Sequence, residues 1–240
     1  MKHRSFAFAV MAKAPQVGRV KTRLTPPLTA DQAMLLGAGF IADTVDVVRE
    51  AARSGIKRNI APFIAYMPAG CEKQMRAMVG LEVGLVLADG AVVDEPGVSG
   101  LGCSLLHAMR SLLEAGHDGV CLISADAPTL PPELLVEAAE HLARPGDRLV
   151  LGPAEDGGYY LIGLSVAHKE LFRDIAWSTG RVAAATVARA GEIGLECVML
   201  PSWYDIDDQS SLGRLISALE SGSETAPRSA ATLREFGLLT

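Results

Sequence analysis

No segment of the 240-residue sequence reaches the roughly 18 consecutive apolar residues that a membrane-spanning helix needs, because charges, glycines or prolines interrupt every apolar run. An integral membrane protein is therefore not expected. Cysteine is sparse: Cys71, Cys103, Cys121 and Cys197 are widely spaced and form no CxxC pair, which argues against a zinc ribbon or a thioredoxin-type redox motif. They read as free thiols of a cytoplasmic protein. Aromatic residues make up only 5% and the net charge is -6, which leaves little for the basic stripe and stacking platform of a nucleic-acid binder. Standard cofactor and catalytic signatures are also missing. No glycine precedes a Lys-Ser or Lys-Thr pair as in a Walker loop, Gly97, Gly100 and Gly102 stand in the wrong order for GxGxxG, and no GxSxG marks a nucleophilic serine. His3, His107, His117, His141 and His168 fall in neither metal-ligand nor Ser-His-Asp spacing.

What remains, 49% hydrophobic and 21% charged, is the composition of a soluble globular chain able to bury a substantial core. The first thirty residues lack any acid. They carry Lys2, Arg4, Lys13, Arg19, Lys21 and Arg23, hence +6, and leave the rest of the chain at -12. A local basic segment in an acidic protein suits a small polyanion better than a long one. The basic Met1-Lys2-His3-Arg4 and the apolar Phe6–Met11, followed by Ala12-Lys13-Ala14, imitate a secretory signal. The apolar stretch is at the short limit for that purpose and a lysine closes it, so a strand is the favoured reading.

Phe6–Met11 followed by Lys13-Ala14-Pro15 and Gly18 predicts a buried strand running into a loop. Thr29 to Arg53 has helical spacing in Ala33, Leu36, Phe40, Thr44 and Val47, with Thr29 as cap and Gly55 past its end. Strands at Ile60–Tyr66, Val83–Leu87 and Gly119–Ser124, a helix at Gly102–Ala115 and another entered through Pro131-Pro132 continue the alternation. This pattern predicts an α/β fold whose mostly parallel sheet carries helices on both faces. Arg148–Gly152 and Tyr159–Leu164 are joined too closely for a parallel crossover, so the sheet should be mixed. A helix from about Arg181, a strand Leu195–Leu200 and a helix Ser210–Leu219 complete one domain over residues 1–220. Residues 221–240 read as a polar, mobile linker through Ser229 and a short terminal helix. The apolar Phe236-Gly237-Leu238-Leu239 could pack on the domain or on a partner.

Four segments could carry chemistry. Lys13 to Arg23 places Lys13, Arg19, Lys21 and Arg23 after the first strand, where α/β sheets bind ligands at strand carboxyl ends; Gly18 allows close backbone approach. Arginine forks and lysine charges suit phosphate, although a solvated basic loop would look the same. Asp126 follows the strand Gly119–Ser124 and could hold Mg²⁺, or could cap the next helix. In Asp205-Ile206-Asp207-Asp208, Asp205 and Asp207 share a side if extended and could bind a divalent cation; Asp207 or Asp208 could equally be a helix cap. Asp156-Gly157-Gly158 reads most simply as a hairpin turn.

Met11-Ala12-Lys13-Ala14-Pro15, Gly18 to Leu24, Asp43-Thr44, Asp126 to Leu130, Gly152 to Leu164, Trp177-Ser178-Thr179 and Asp205-Ile206-Asp207 together resemble the glycosyltransferase-like family associated with radical-SAM and selenium-domain gene clusters. The match runs from Met11 to about Leu219, and its glycine-tyrosine block is specific. Lys21-Thr22-Arg23-Leu24 also resembles the loop of 2-phospho-lactate guanylyltransferases and, more distantly, that of molybdenum-cofactor guanylyltransferases. The resemblance implies a single GT-A type nucleotide-diphospho-sugar transferase domain. It implies phosphate binding by Lys13, Gly18, Arg19, Lys21 and Arg23, catalytic roles for Lys21 and Asp126, and Mg²⁺ or Mn²⁺ on Asp126 and on Asp205 or Asp207. Asp156, Gly157 and Gly158 are expected to face the acceptor. Where that family has Gly-Asp-Leu-Gly and a following arginine, this chain has Ser99-Gly100-Leu101-Gly102-Cys103-Ser104.

The expected function is metal-dependent transfer from a nucleotide donor to a small-molecule acceptor, with neither nucleic acid nor membrane as partner. Nucleotidyl transfer from an NTP to a phosphorylated or acidic acceptor is slightly favoured. Glycosyl transfer from a nucleotide sugar and nucleotide binding without catalysis are the alternatives.

Overall fold

In the computed structural model, which describes residues 4–54 and 59–240, seven strands form one sheet in the order β3-β2-β1-β4-β6-β5-β7. Met1, Lys2, His3 and Gly55, invoked above for a leader and a helix end, lie outside the described residues. The strands are β1 (Ser5–Lys13), β2 (Asn59–Met67), β3 (Gly84–Leu87), β4 (Gly119–Ser124), β5 (Arg148–Pro153), β6 (Tyr159–Leu164) and β7 (Glu196–Met199). Of these, β6 alone runs against its neighbours β4 and β5, so the close spacing of β5 and β6 correctly signals a mixed sheet. The helices are α1 (Ala30–Arg53), α2 (Glu72–Val79), α3 (Leu101–Glu114), α4 (Pro132–Leu142), α5 (Val182–Glu192), α6 (Gln209–Ser221) and α7 (Pro227–Glu235).

Strand β1 is central and apolar on both sides. Phe6, Phe8 and Val10 face a core shared with α1, α2 and α4, while Ala7 and Ala9 face a second core shared with α3 and α5. Helix α1 starts where Thr29 forms a reciprocal capping box with Gln32. It is apolar over much of its circumference because it serves two cores. Ile41, Val45 and Val48 pack on the sheet, and Leu36 and Phe40 pack under α6, α7 and the loop residue Leu24.

Two C-terminal expectations resolve here. The stretch read as a mobile linker is short: only residues 222–226 separate the end of α6 at Ser221 from the start of α7 at Pro227, and Ser229 is fully buried. Buried Asp43 of α1 accepts hydrogen bonds from Arg228 N at 2.9 Å, Ser229 N at 2.8 Å and Ser229 Oγ at 2.6 Å, which ties α7 to the domain. Burial pushes the Asp43 carboxyl above its ordinary pKa, against the lowering effect of those bonds. Leu239 is buried beside Leu233, with Phe236 and Leu238 against the same cluster, so the apolar tail packs on its own domain.

The order β3-β2-β1-β4 makes a topological switch. From β1 the chain crosses to β2 and β3 on one side, and later returns to place β4 on the other. The loops leaving the carboxyl ends of β1 and β4 therefore part around a crevice, the position where open α/β sheets bind ligands.

Candidate active site

The loop after β1 is shaped by three local features. Gly18 adopts φ +69 within a turn closed by Arg19 N donating to Gln16 O at 3.0 Å; no atom crowds the position of a Cβ, so the dihedral rather than close packing favours glycine. Gln74 of α2 donates to Pro15 O at 2.8 Å. Leu24, fully buried, pins the end of the 3-10 turn Thr22–Leu24.

Between these anchors Lys21 turns inward with the left-handed backbone φ of 49°, uncommon for a residue with a Cβ. Its side chain is only 8% exposed. The ammonium sits 2.7 Å from Asp126 Oδ1 and 2.9 Å from Asp207 Oδ1, and it donates to Ile206 O at 2.7 Å. Three protons thus meet three oxygens from two loops. Burial works to lower the Lys21 pKa, but Asp126 and Asp207 outweigh it and hold the amine above its ordinary value, so it stays charged.

Asp126 does not cap α4, whose N-cap position is Pro131. It lies just past β4, its N–H donating to Ser124 Oγ at 3.2 Å and its carbonyl accepting from Ile206 N at 2.8 Å, which binds its loop to the Asp205–Asp208 loop. There Asp208 is the cap: Oδ1 accepts from Ser211 N at 2.9 Å, leaving Asp207 free for Lys21. Asp205 does not touch Lys21. Burial, then the charges of Asp156, Asp207 and Asp126, push its carboxyl up to about 6.

A cleft of about 380 Å³ opens beside this node, lined by Lys13, Arg19, Lys21 and Arg23 together with Asp126 and Asp207. Arg23 is mostly exposed, its Nη1 3.7 Å from Asp207 Oδ2. A second cavity of about 250 Å³ shares Arg23 and Asp207 and carries four further acids, Glu155, Asp156, Asp205 and Asp208. Among the described residues, the one other cation lining it is Arg214, which stacks 3.6 Å from the Tyr204 ring centroid and pairs with Glu155 at 2.8 Å. The structure thus brings together Lys13, Arg19, Lys21, Arg23, Asp126 and Asp207 in one cleft, and Asp156 and Asp205 in its neighbour. Gly18 lies on the loop between Pro15 and Arg19, outside the lining of either.

The glycines of Asp156-Gly157-Gly158 have a structural role in the β5–β6 hairpin. Gly157, at φ +88, abuts Gly180 so closely that a Cβ would lie 2.2 Å from its carbonyl oxygen, and Gly158 N donates to Asp156 Oδ1 at 2.7 Å. Glu155, Arg214 and the Ile206 carbonyl escape sequence inspection. Glu155 adjoins the singled-out Asp156, but Arg214 lies within an ordinary amphipathic helix and a carbonyl leaves no mark in the sequence. Among the described residues, no group of three or more His, Cys, Asp or Glu side chains is already arranged to hold a metal, the Lys21 ammonium standing between the two nearest carboxylates.

The fold with its strand-end crevice is of the nucleotide-diphospho-sugar transferase, GT-A-like class. The chain aligns over 97% of its length, and 95% of the other, with a protein from Desulfovibrio desulfuricans G20 provisionally described as a nucleotide-diphospho-sugar transferase, at 30% identity and a TM-score of 0.80. A nucleotidyl transferase from Methanothermobacter thermautotrophicus shares the fold at 19% identity and a TM-score of 0.52, covering 87% of this chain and 95% of that one. A cytidylyltransferase from Leptospira borgpetersenii does so at 11% and 0.53, covering 98% and 96%. No curated protein matches the sequence. Residues 51–179 match the family DUF2064, described as uncharacterized protein conserved in bacteria, and the chain belongs to that family.

Proposed function

We propose that the protein is a divalent-metal-dependent transferase using a nucleotide donor, with nucleotidyl transfer from a nucleoside triphosphate to a small phosphorylated or acidic acceptor favoured. The observation that carries this reading is the convergence, at the switch point of the sheet, of an acid-free basic loop with the carboxylates of Asp126 and Asp207. The similarity to the Desulfovibrio protein supports a nucleotide-based donor. The Lys21-Thr22-Arg23-Leu24 loop, which resembles that of guanylyltransferases, favours an NTP over a nucleotide sugar.

The donor set suits a hard divalent cation such as Mg²⁺ or Mn²⁺. Two carboxylates and one carbonyl already surround a single positive charge, and oxygen ligands of this kind are what such ions take. Asp126 and Asp207 would hold the metal with Asp205 nearby, and the ion would neutralise phosphate charge. Lys13, Arg19 and Arg23 would bind the phosphate oxygens. In nucleotidyl transfer an acceptor oxygen bonds to the α-phosphorus, the bond from that phosphorus to the bridging oxygen breaks, and pyrophosphate leaves with the electron pair. Such a reaction depends on positioning and charge stabilisation, so a site without a catalytic histidine or nucleophile is adequate. Arg23 lines both cavities and is placed to meet an anionic group of donor or acceptor.

The test is release of pyrophosphate from each NTP in the presence of Mg²⁺ or Mn²⁺ and a panel of small hydroxy acids and their phosphates. Asp126→Asn should lower the rate by about 100-fold or more. Nucleoside diphosphate released from a nucleotide sugar, with no pyrophosphate from any NTP, would select glycosyl transfer instead.

A further inference from the structure

Of the four cations on the β1 loop, Lys13, Arg19 and Arg23 are exposed and only Lys21 is drawn inside. A lysine that served merely to bind phosphate could stay in solvent like its neighbours. Lys21 instead adopts an unfavourable backbone conformation and commits every ammonium proton to the oxygens of Asp126, Asp207 and Ile206. Those carboxylates are the ones assigned above to the metal, and the inference rests on that assignment. An ammonium and a divalent ion sharing Asp126 Oδ1 and Asp207 Oδ1 would lie within a few ångströms of each other, where like charges in a partly buried site repel strongly.

We propose that Lys21 is a resident cation that occupies the place of the metal in the nucleotide-free protein and must leave it for the metal to enter. The two acids are then never left facing each other without a positive charge, a costly arrangement away from bulk water. Lysine is suited to such exchange because it is a point charge on a flexible four-carbon stem. The cleft beside it gives the ammonium somewhere to go, and donor phosphate held by Arg19 and Arg23 would offer it a new anion. Metal entry thereby becomes coupled to arrival of the donor, and each should strengthen the binding of the other.

The experiment is a Mn²⁺ titration of the full chain without nucleotide, read by the electron paramagnetic resonance of free Mn²⁺, for wild type, Lys21→Gln and Arg23→Gln. Lys21→Gln should bind Mn²⁺ at least tenfold more tightly than wild type. Arg23→Gln, which removes a cation near Asp207 but outside the node, should change affinity less than threefold. Equal or weaker binding by Lys21→Gln, or equal tightening by both variants, overturns the placeholder while leaving the metal site standing. No Mn²⁺ binding by any of the three, with or without an NTP, removes the metal assignment and the placeholder with it. Should Lys21→Gln fail to fold, wild type labelled with ¹⁵N-lysine decides the matter: the Lys21 ammonium resonance should shift when Mg²⁺ and an NTP are both added, and a resonance unmoved at saturation contradicts the proposal.

Discussion

Asp207 and Asp208 are chemically identical neighbours with different roles, and the difference is set by direction. Asp208 turns back to cap α6, while Asp207 turns across to Lys21. The residue types of the site were legible in the sequence: strand-end acid, basic loop, acidic turn. Which of the two acids capped the helix was not, because Lys21 and Asp207 lie 186 positions apart and meet only after the sheet has formed. Asp205 permits a prediction at this scale. Its folded-state pKa of about 6 exceeds the ordinary 3.8, so the folded protein holds this proton more tightly than the unfolded chain. That contribution to stability is fully present below the unfolded value and is lost as pH rises through about 6. In metal-free protein Asp205→Asn removes the titration. Its thermal unfolding midpoint should therefore rise relative to wild type between about pH 4 and pH 7 and level off above. A difference that stays constant over that range would contradict the assigned environment.

At the scale of elements, the strands Gly119–Ser124 and Tyr159–Leu164 stand where their apolar runs end, and Thr29 marks the start of α1 to the residue. Buried strands and capped helices announce themselves because burial and backbone satisfaction both constrain residue type. Helix α2 does not, since only Met75 and Val79 of its eight residues are buried. The C-terminal segment misleads for the opposite reason: its Ser and Glu content suggests a solvated linker, while Ala226 and Ser229 are buried and Asp43 binds Ser229 and the main chain of Arg228. Asp43→Ala strips acceptors from two main-chain donors and one hydroxyl at the start of α7, and should destabilise the protein by about 2–4 kcal/mol in urea unfolding. Faster amide exchange at the start of α7 should accompany the loss. A change below about 0.5 kcal/mol would mean that α7 docks through its apolar contacts alone.

Over the whole molecule, charge is segregated by topology. The basic loop leaves β1, the acidic turns follow β5 and β7, and both converge on the carboxyl ends of the strands at the switch between β1 and β4. The fold class was readable from the alternation of elements, but this convergence follows from the strand order, which periodicity alone does not specify. A nucleotide donor bound on the cationic side, with the metal on Asp126 and Asp207, is the account we propose from this arrangement. The most direct test of its central claim is a thermal-shift panel of nucleoside triphosphates, nucleoside diphosphates and nucleotide sugars, each with Mg²⁺ and with EDTA. A ligand at a hundred times its dissociation constant stabilises the native state by about 2.7 kcal/mol, enough to be read easily. The account predicts a Mg²⁺-dependent rise with at least one NTP that Asp126→Asn abolishes; no shift with any nucleotide, with or without metal, would contradict it.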